Sequence, residues 1–371
     1  MQKTLLLTAL IVAGACNSAS AQIHPSHQVV VAVNKFQYGA GGALSVFETA
    51  TPWPAAPDVD VASHNSIVHE FFGQLYVLGI DDHVVDVRAL PSLKVQQSFS
   101  ISDVVAPRDL VMVGSRMALI SDHDSAHLWW LDTWTGDVKP GPDLSAYADG
   151  DRLPDVTRML LVGQHVFVQM QRYDRDDNFS EQGAKLAVLG PAFNPMEPAV
   201  LEDVIDLAGT RPDHRMHTNA AGTRLWVSAA GVANDWWNLN RGIEEIDLAT
   251  RTSIGFVITE DDFGGDLGGF VMLDDDKGFA MVHTSIIAST HLRVFNRNVG
   301  QIAELHMFAG HIDVIALDRV RRQVLYPVIE NGLPSNPNPA GGVMIWDADN
   351  NTPLSGFIDL GGQPHDLCVI Q

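Results

Sequence analysis

One short apolar run recurs seven times along the chain, and that recurrence limits the fold more than any other feature. The copies are "VVVAV" at 29, "LYVLG" at 75, "MALIS" at 117, "VFVQM" at 166, "LWVSA" at 225, "FAMVH" at 279 and "VLYPV" at 324. Each is followed by a loop of variable length and then a second run that tends to end in an acidic or polar turn, as in "LWWLDTWTG", "IEEIDLATR", "LRVFNRNVG" and "VMIWDADNN". A more ragged third strand and a turn lead to a fourth run, such as "DLVMV" or "DLGGFVML". Apolar residues never hold a helical spacing for long beyond residue 27. Short runs of Val, Ile, Leu, Phe and Trp are separated instead by Gly, Pro, Asn and Asp, the pattern of strands. A four-stranded unit of roughly 49 residues in seven copies predicts an all-β, seven-bladed β-propeller over residues 28–371.

The two ends of the repeat series complement each other. The first copy begins at its second strand, "VVVAV", and lacks an inner strand; the last copy is followed by a surplus one, "DLCVI" within "GGQPHDLCVIQ". Pairing the two closes the ring, removes the edges of an open all-β array, and makes Cys368 a buried, unreactive thiol.

The order of strands and the motifs "VIDLAGTRPDH" with "RLWVSAAG" and "IEEIDLATR", then "FIDLGGQPHDL", resemble the YVTN/YncE-like seven-bladed propellers of bacterial secreted and surface proteins. The resemblance spans nearly all of the chain after residue 27 and implies fold more than activity. Four insertions depart from a minimal family repeat: "NKFQYGAGG", "QRYDRDDNFSEQGAK", "GVANDWWNLNRG" and "ENGLPSNPNPAGG". All four fall between second and third strands, which loads one face with polar and aromatic material, as binding loops on a rigid scaffold would.

"MQKTLLLTALIVAGACNSASAQ" has an early Lys3, an apolar stretch from Leu5 to Ala13 and small residues at Ala19 and Ala21, the layout of a cleaved secretory signal over residues 1–21. Residues 22–27 form a short N-terminal segment before the first strand. The expected location is periplasmic or extracellular. Ala13-Gly14-Ala15-Cys16 also resembles a lipobox, so lipidation of Cys16 is the alternative to cleavage after Ala21. No segment approaches the roughly 18 apolar residues that spanning a bilayer needs. The formal net charge of −22 argues against nucleic acid as a partner. A monomer is expected.

Aligning the blades places Asn65, Asp109, Asp155, Asp213, Asp266, Asp313 and Asp366 at successive entries to the inner strands. One reading is local: Asp at such a turn accepts backbone hydrogen bonds and fixes the strand entry. The other is a ring of acids that holds a divalent cation or a cationic ligand at the channel mouth. Two carboxylates roughly 8 Å apart repel by about 2 kcal/mol at an effective dielectric of about 20, so such a ring needs compensation. Arg108, Arg158, His214, Arg215, His217, His311 and His365 are the candidates, and they suggest a salt-bridge network more than a metal centre.

Tyr173, Trp236 and Trp237 offer aromatic contact area on the loop-rich face. Asp174, Asp176 and Asp177 lack the Gly and distal Glu of a calcium loop, and His123 and His127 are either metal ligands or surface residues. No nucleophile elbow, zinc helix, cysteine cluster or phosphate loop is present. The expected function is therefore a binding module that captures a protein, glycan or small ligand on this face. The alternative is a metal-assisted hydrolase or lyase at the channel mouth.

Overall fold

A computed structural model describes residues 28–35, 41–191, 200–229, 241–285, 289–310, 312–330 and 340–370. These form seven antiparallel sheets arranged as the blades of a propeller. Blade 1 orders Ala55–Ala62, Gly42–Glu48, Gln28–Asn34 and, innermost, Gln363–Ile370. The inner strands of blades 2 to 7 are Ser66–Phe71, Pro107–Met112, Val156–Val162, His217–Thr218, Asp266–Met272 and Ala316–Asp318. A small extra hairpin, Tyr173–Asp174 with Ser180–Glu181, rises from the second-to-third-strand loop of blade 4.

The closing strand pairs antiparallel with the first, Val29 opposite Val369, Val30 opposite Cys368 and Val31 opposite Leu367, with a bulge after Ala32. Cys368 is buried, and burial pushes its thiol up to about 12, so it stays protonated and inert.

Sequence explains why the middle strands read as continuous apolar runs. In Gln74–Gly79 every residue after the first is buried, because a blade is covered on both sides by its neighbours. The outermost strand Val95–Ser100 has solvent along its edge and buries only Phe99. Among the described residues the apolar side chains group into seven clusters, one at each interface between adjacent blades. Val29, Val31 and Leu367 of blade 1 pack with Leu325, Val343 and Ile345 of blade 7, so the closure is a packed interface as well as a strand pairing.

Candidate site at the channel mouth

All seven blades contribute to one cavity of about 490 Å³ on the axis, blades 5 and 7 through residues 213–215 and 312–315, which lead into their inner strands. Its wall is half apolar, with Ile67, Phe270 and Ile315 among the contributors, and half polar. Asn65, Asp213, Asp313 and Gln363 line it at the entries to the inner strands. In blade 4 the second-to-third-strand loop contacts the turn into its own inner strand through Tyr173 N–H, which donates to Asp155 Oδ2 at 3.1 Å, so there the insertion and the strand entry share a face.

The acids predicted as a ring do not act as one. Asp109, in the inner strand of blade 3, accepts from the Leu110 and Met159 N–H groups and meets His69 Nε2 at 2.7 Å. Met159 belongs to blade 4 and His69 to blade 2, so one carboxylate ties three blades together. Burial would raise its pKa, but His69, the Arg158 charge and the Met159 N–H overcome that and hold it near 2. Asp366, four residues into the closing strand, repeats the device: it accepts from Val68 N–H of blade 2 at 2.9 Å and from Arg215 at 2.5 Å. Asp155 is fully buried and bonded to Arg175 Nη2 at 2.7 Å, with burial raising its pKa against the pull of Arg175. Asp313 faces His283 Nε2 at 2.6 Å, and Asn65 exchanges hydrogen bonds with the Asn34 side chain. Asn65 and Asp155 have φ of 55° and 50°, the left-handed turn geometry these residue types tolerate. Asp266 is half-buried at the start of its strand and Asp213 is exposed. Of the seven positions only Asn65, Asp213, Asp313 and Asp366 line the cavity.

The cations were expected to neutralise that ring: among the described residues Arg215 does so by its bond to Asp366, and the Arg158 charge acts on Asp109 without a direct ion pair. Arg158 crosses the mouth from blade 4, donating to the carbonyls of Arg108 at 3.3 Å and Asp213 at 3.4 Å. Neither Arg158 nor Arg108 has a carboxylate partner among the described residues. Arg211 lies 5.2 Å over the ring of Tyr173, whose pKa is raised by burial and by Asp155 against the pull of Arg175, Arg211 and Arg108. Arg108, Arg158 and Arg215 therefore share the mouth with Asp213, Asp313 and Asp366, of which Arg215 and Asp366 form an ion pair. His214 and His365 line the same cavity. Burial lowers both, His365 to about 4 despite the neighbouring Asp366, so both imidazoles are neutral at pH 7. Burial, with Arg319 and Arg215, takes His217 down to about 3.

Tyr173 is only 9% exposed, enclosed by Phe179, His123 and the two arginines, and so is not an open contact platform. His123 is buried and meets the Tyr173 hydroxyl at 3.0 Å, while half-buried His127 lies 3.7 Å from Asp143. Trp236, Trp237 and His311 lie outside the described residues. Asp174 comes together with Asp149 and Asp151, none of which lines the axial cavity; Asp176 and Asp177 do not join them. Reading the sequence missed His69, Arg175, Arg211 and His283. Arg175 carried a signal, being the one cation in the acidic part of "QRYDRDDNF".

No protein-family model matches the chain, and no curated protein matches it significantly. Solved structures do. A candidate 6-phosphogluconolactonase from Bacteroides fragilis matches with a TM-score of 0.63 at 11% identity, over 95% of this chain and 99% of that one. The periplasmic gluconolactonase of Pseudomonas aeruginosa gives 0.61 at 12%, over 93% and 99%. A Lactobacillus plantarum protein gives 0.61 at 10%, over 93% and 100%. At such identities the agreement establishes the fold: this chain is a seven-bladed β-propeller, similar in architecture to gluconolactonase-like propellers.

Proposed function

We propose that this protein is an exported binding module that holds a small anionic ligand, a carboxylate or phosphate on a compact polar body, at the channel mouth. One observation carries the reading: Arg108 and Arg158 face the axial cavity with no carboxylate within ion-pair distance among the described residues, while Asp109 and Asp366 are engaged between blades. Like guanidinium charges held at one mouth repel, and an anion relieves that repulsion while gaining charge-assisted hydrogen bonds. The apolar half of the wall suits the body of such a ligand. Export rests on the N-terminal leader, and kinship with the YVTN/YncE-like propellers on the repeat motifs and the shared fold.

The test uses 6-phosphogluconate as the probe, with glucose as its uncharged counterpart. Calorimetric titration is expected to show binding of the phosphorylated acid alone, weakened at least about tenfold in Arg158→Gln and further in the double variant with Arg108→Gln. Equal affinity in wild type and double variant, or no binding to either, would reject the anionic site.

A second reading is favoured by the neutral His214 and His365 beside these guanidiniums. A neutral imidazole can take a proton from water, and Arg158 can stabilise the developing oxyanion, which is what ester or lactone hydrolysis requires. Two structural neighbours described as lactonases make gluconolactone the substrate to try. Turnover above background that His365→Gln abolishes while 6-phosphogluconate still binds would convert the binding module into a hydrolase.

A further inference from the structure

The opposite face of the ring, where first-to-second and third-to-fourth strand turns lie, carries a second cavity of about 520 Å³ between blades 2 and 3. Gln74, Tyr76, Gln96, Gln97, Thr133 and Trp134 are among its lining residues, and no lining residue is charged. In a chain of net charge −22 that neutrality is a local departure. The amides are already organised: Gln74 Nε2 donates to Gln96 Oε1 at 2.8 Å, while the Gln97 side chain is exposed with no protein partner among the described residues.

Trp134 is 74% exposed, yet it is held firmly. It sits in the turn Asp132–Gly136, where Asp132 Oδ1 accepts from Trp134 N–H at 2.9 Å and Asp132 also takes both contacts from Arg116 Nε at 2.8 Å. The Arg116 guanidinium lies 5.2 Å from the indole centroid. Gly136, at φ 80°, brings this turn against blade 2, since a Cβ there would stand 3.0 Å from Phe99 Cδ1. The same turn recurs in blades 5, 6 and 7 with the same hydrogen bond, from Ala249 N–H to Asp247, Asn298 N–H to Asn296, and Asp349 N–H to Asp347. The turn therefore does not require tryptophan: alanine, asparagine or aspartate serves elsewhere, and in blade 3 a large aromatic is left in solvent beside a polar cavity.

We propose that this groove binds a neutral glycan, with one sugar ring stacked on Trp134 and its hydroxyls bonded to the Gln96 and Gln97 amides. An exposed indole offers a flat apolar face for the C–H side of a pyranose, and planar amides pair with vicinal hydroxyls. A charged ligand would find no counter-charge among the lining residues. The site is independent of the channel mouth, from which it differs in face, charge and residues.

Tryptophan fluorescence of the exported protein, titrated with maltotetraose, cellotetraose and chitotetraose, tests the proposal. At least one of these neutral probes is expected to bind saturably, to bind at least about tenfold more weakly to Trp134→Ala, and to resist displacement by 6-phosphogluconate. Trp134 is exposed, so the variant should melt with the wild type; Gln97→Ala, at a second exposed residue, provides an independent variant if it does not. Binding of none of the three, equal binding to wild type and both variants, displacement by the phosphorylated acid, or capture of a protein through Trp134 with no saccharide response would overturn it.

Discussion

His214, His217 and His365 stay neutral in the fold at pH values where a free imidazole takes a proton. The ordinary value is 6.5, and burial holds His365 at about 4 and His217 at about 3. Between about pH 6.5 and these values the unfolded chain binds protons that the native state refuses, so stability falls as pH falls through that window. Asp109 adds a lower stage of the same sign: its depressed carboxyl stabilises the fold above the ordinary 3.8 and loses that contribution as pH drops toward 2. Glu260 and Asp149, which burial raises to about 7, act in the opposite sense over the same range, so the test is a difference between proteins. Between about pH 7 and 4.5 the urea midpoint of His365→Gln should fall less than that of the wild type. The same change of midpoint with pH in both proteins would mean that His365 is protonated in the fold.

Between elements, the inner strands are joined by carboxylates as well as by packing. Asp109 serves two neighbours of its blade and Asp366 joins blade 1 to blade 2. Asp109→Ala would leave the Met159 N–H and His69 Nε2 without their acceptor in a buried site, a loss of about 3 kcal/mol, read as a lowered urea midpoint with unchanged slope. A loss below about 0.5 kcal/mol would show that water replaces the carboxylate and that the link between blades is dispensable. The strands themselves were legible from the sequence, because a blade covered on both sides needs an unbroken apolar run and such runs recur at a fixed period. The acids were legible as a repeated feature but not in their partners. Asp109 finds Met159 and His69, fifty and forty positions away, only through the packing of one blade on the next. Local turn logic anticipated hydrogen-bonded acids and missed that the bonds cross between blades. The exposed indole of Trp134 was hidden within an apolar run, "LWWLDTWTG", in which the neighbouring Trp130 is buried.

At the scale of the molecule, seven interfaces of similar make-up share the burial, and among the described residues each apolar cluster spans two adjacent blades. The channel mouth exists only while the ring is closed, since its lining comes from all seven blades, including Gln363, Pro364, His365 and Asp366 of the closing strand. Everything proposed for the axis thus depends on the pairing of Gln363–Ile370 with Gln28–Asn34. Native-state amide hydrogen exchange reads that pairing directly. The hydrogen-bonded amides of Leu367–Ile370 should exchange only through global opening, with the same free energy as those of Leu75–Leu78 in the middle of blade 2. Exchange of the closing strand as fast as a frayed terminus, while blade 2 remains protected, would contradict a closed ring.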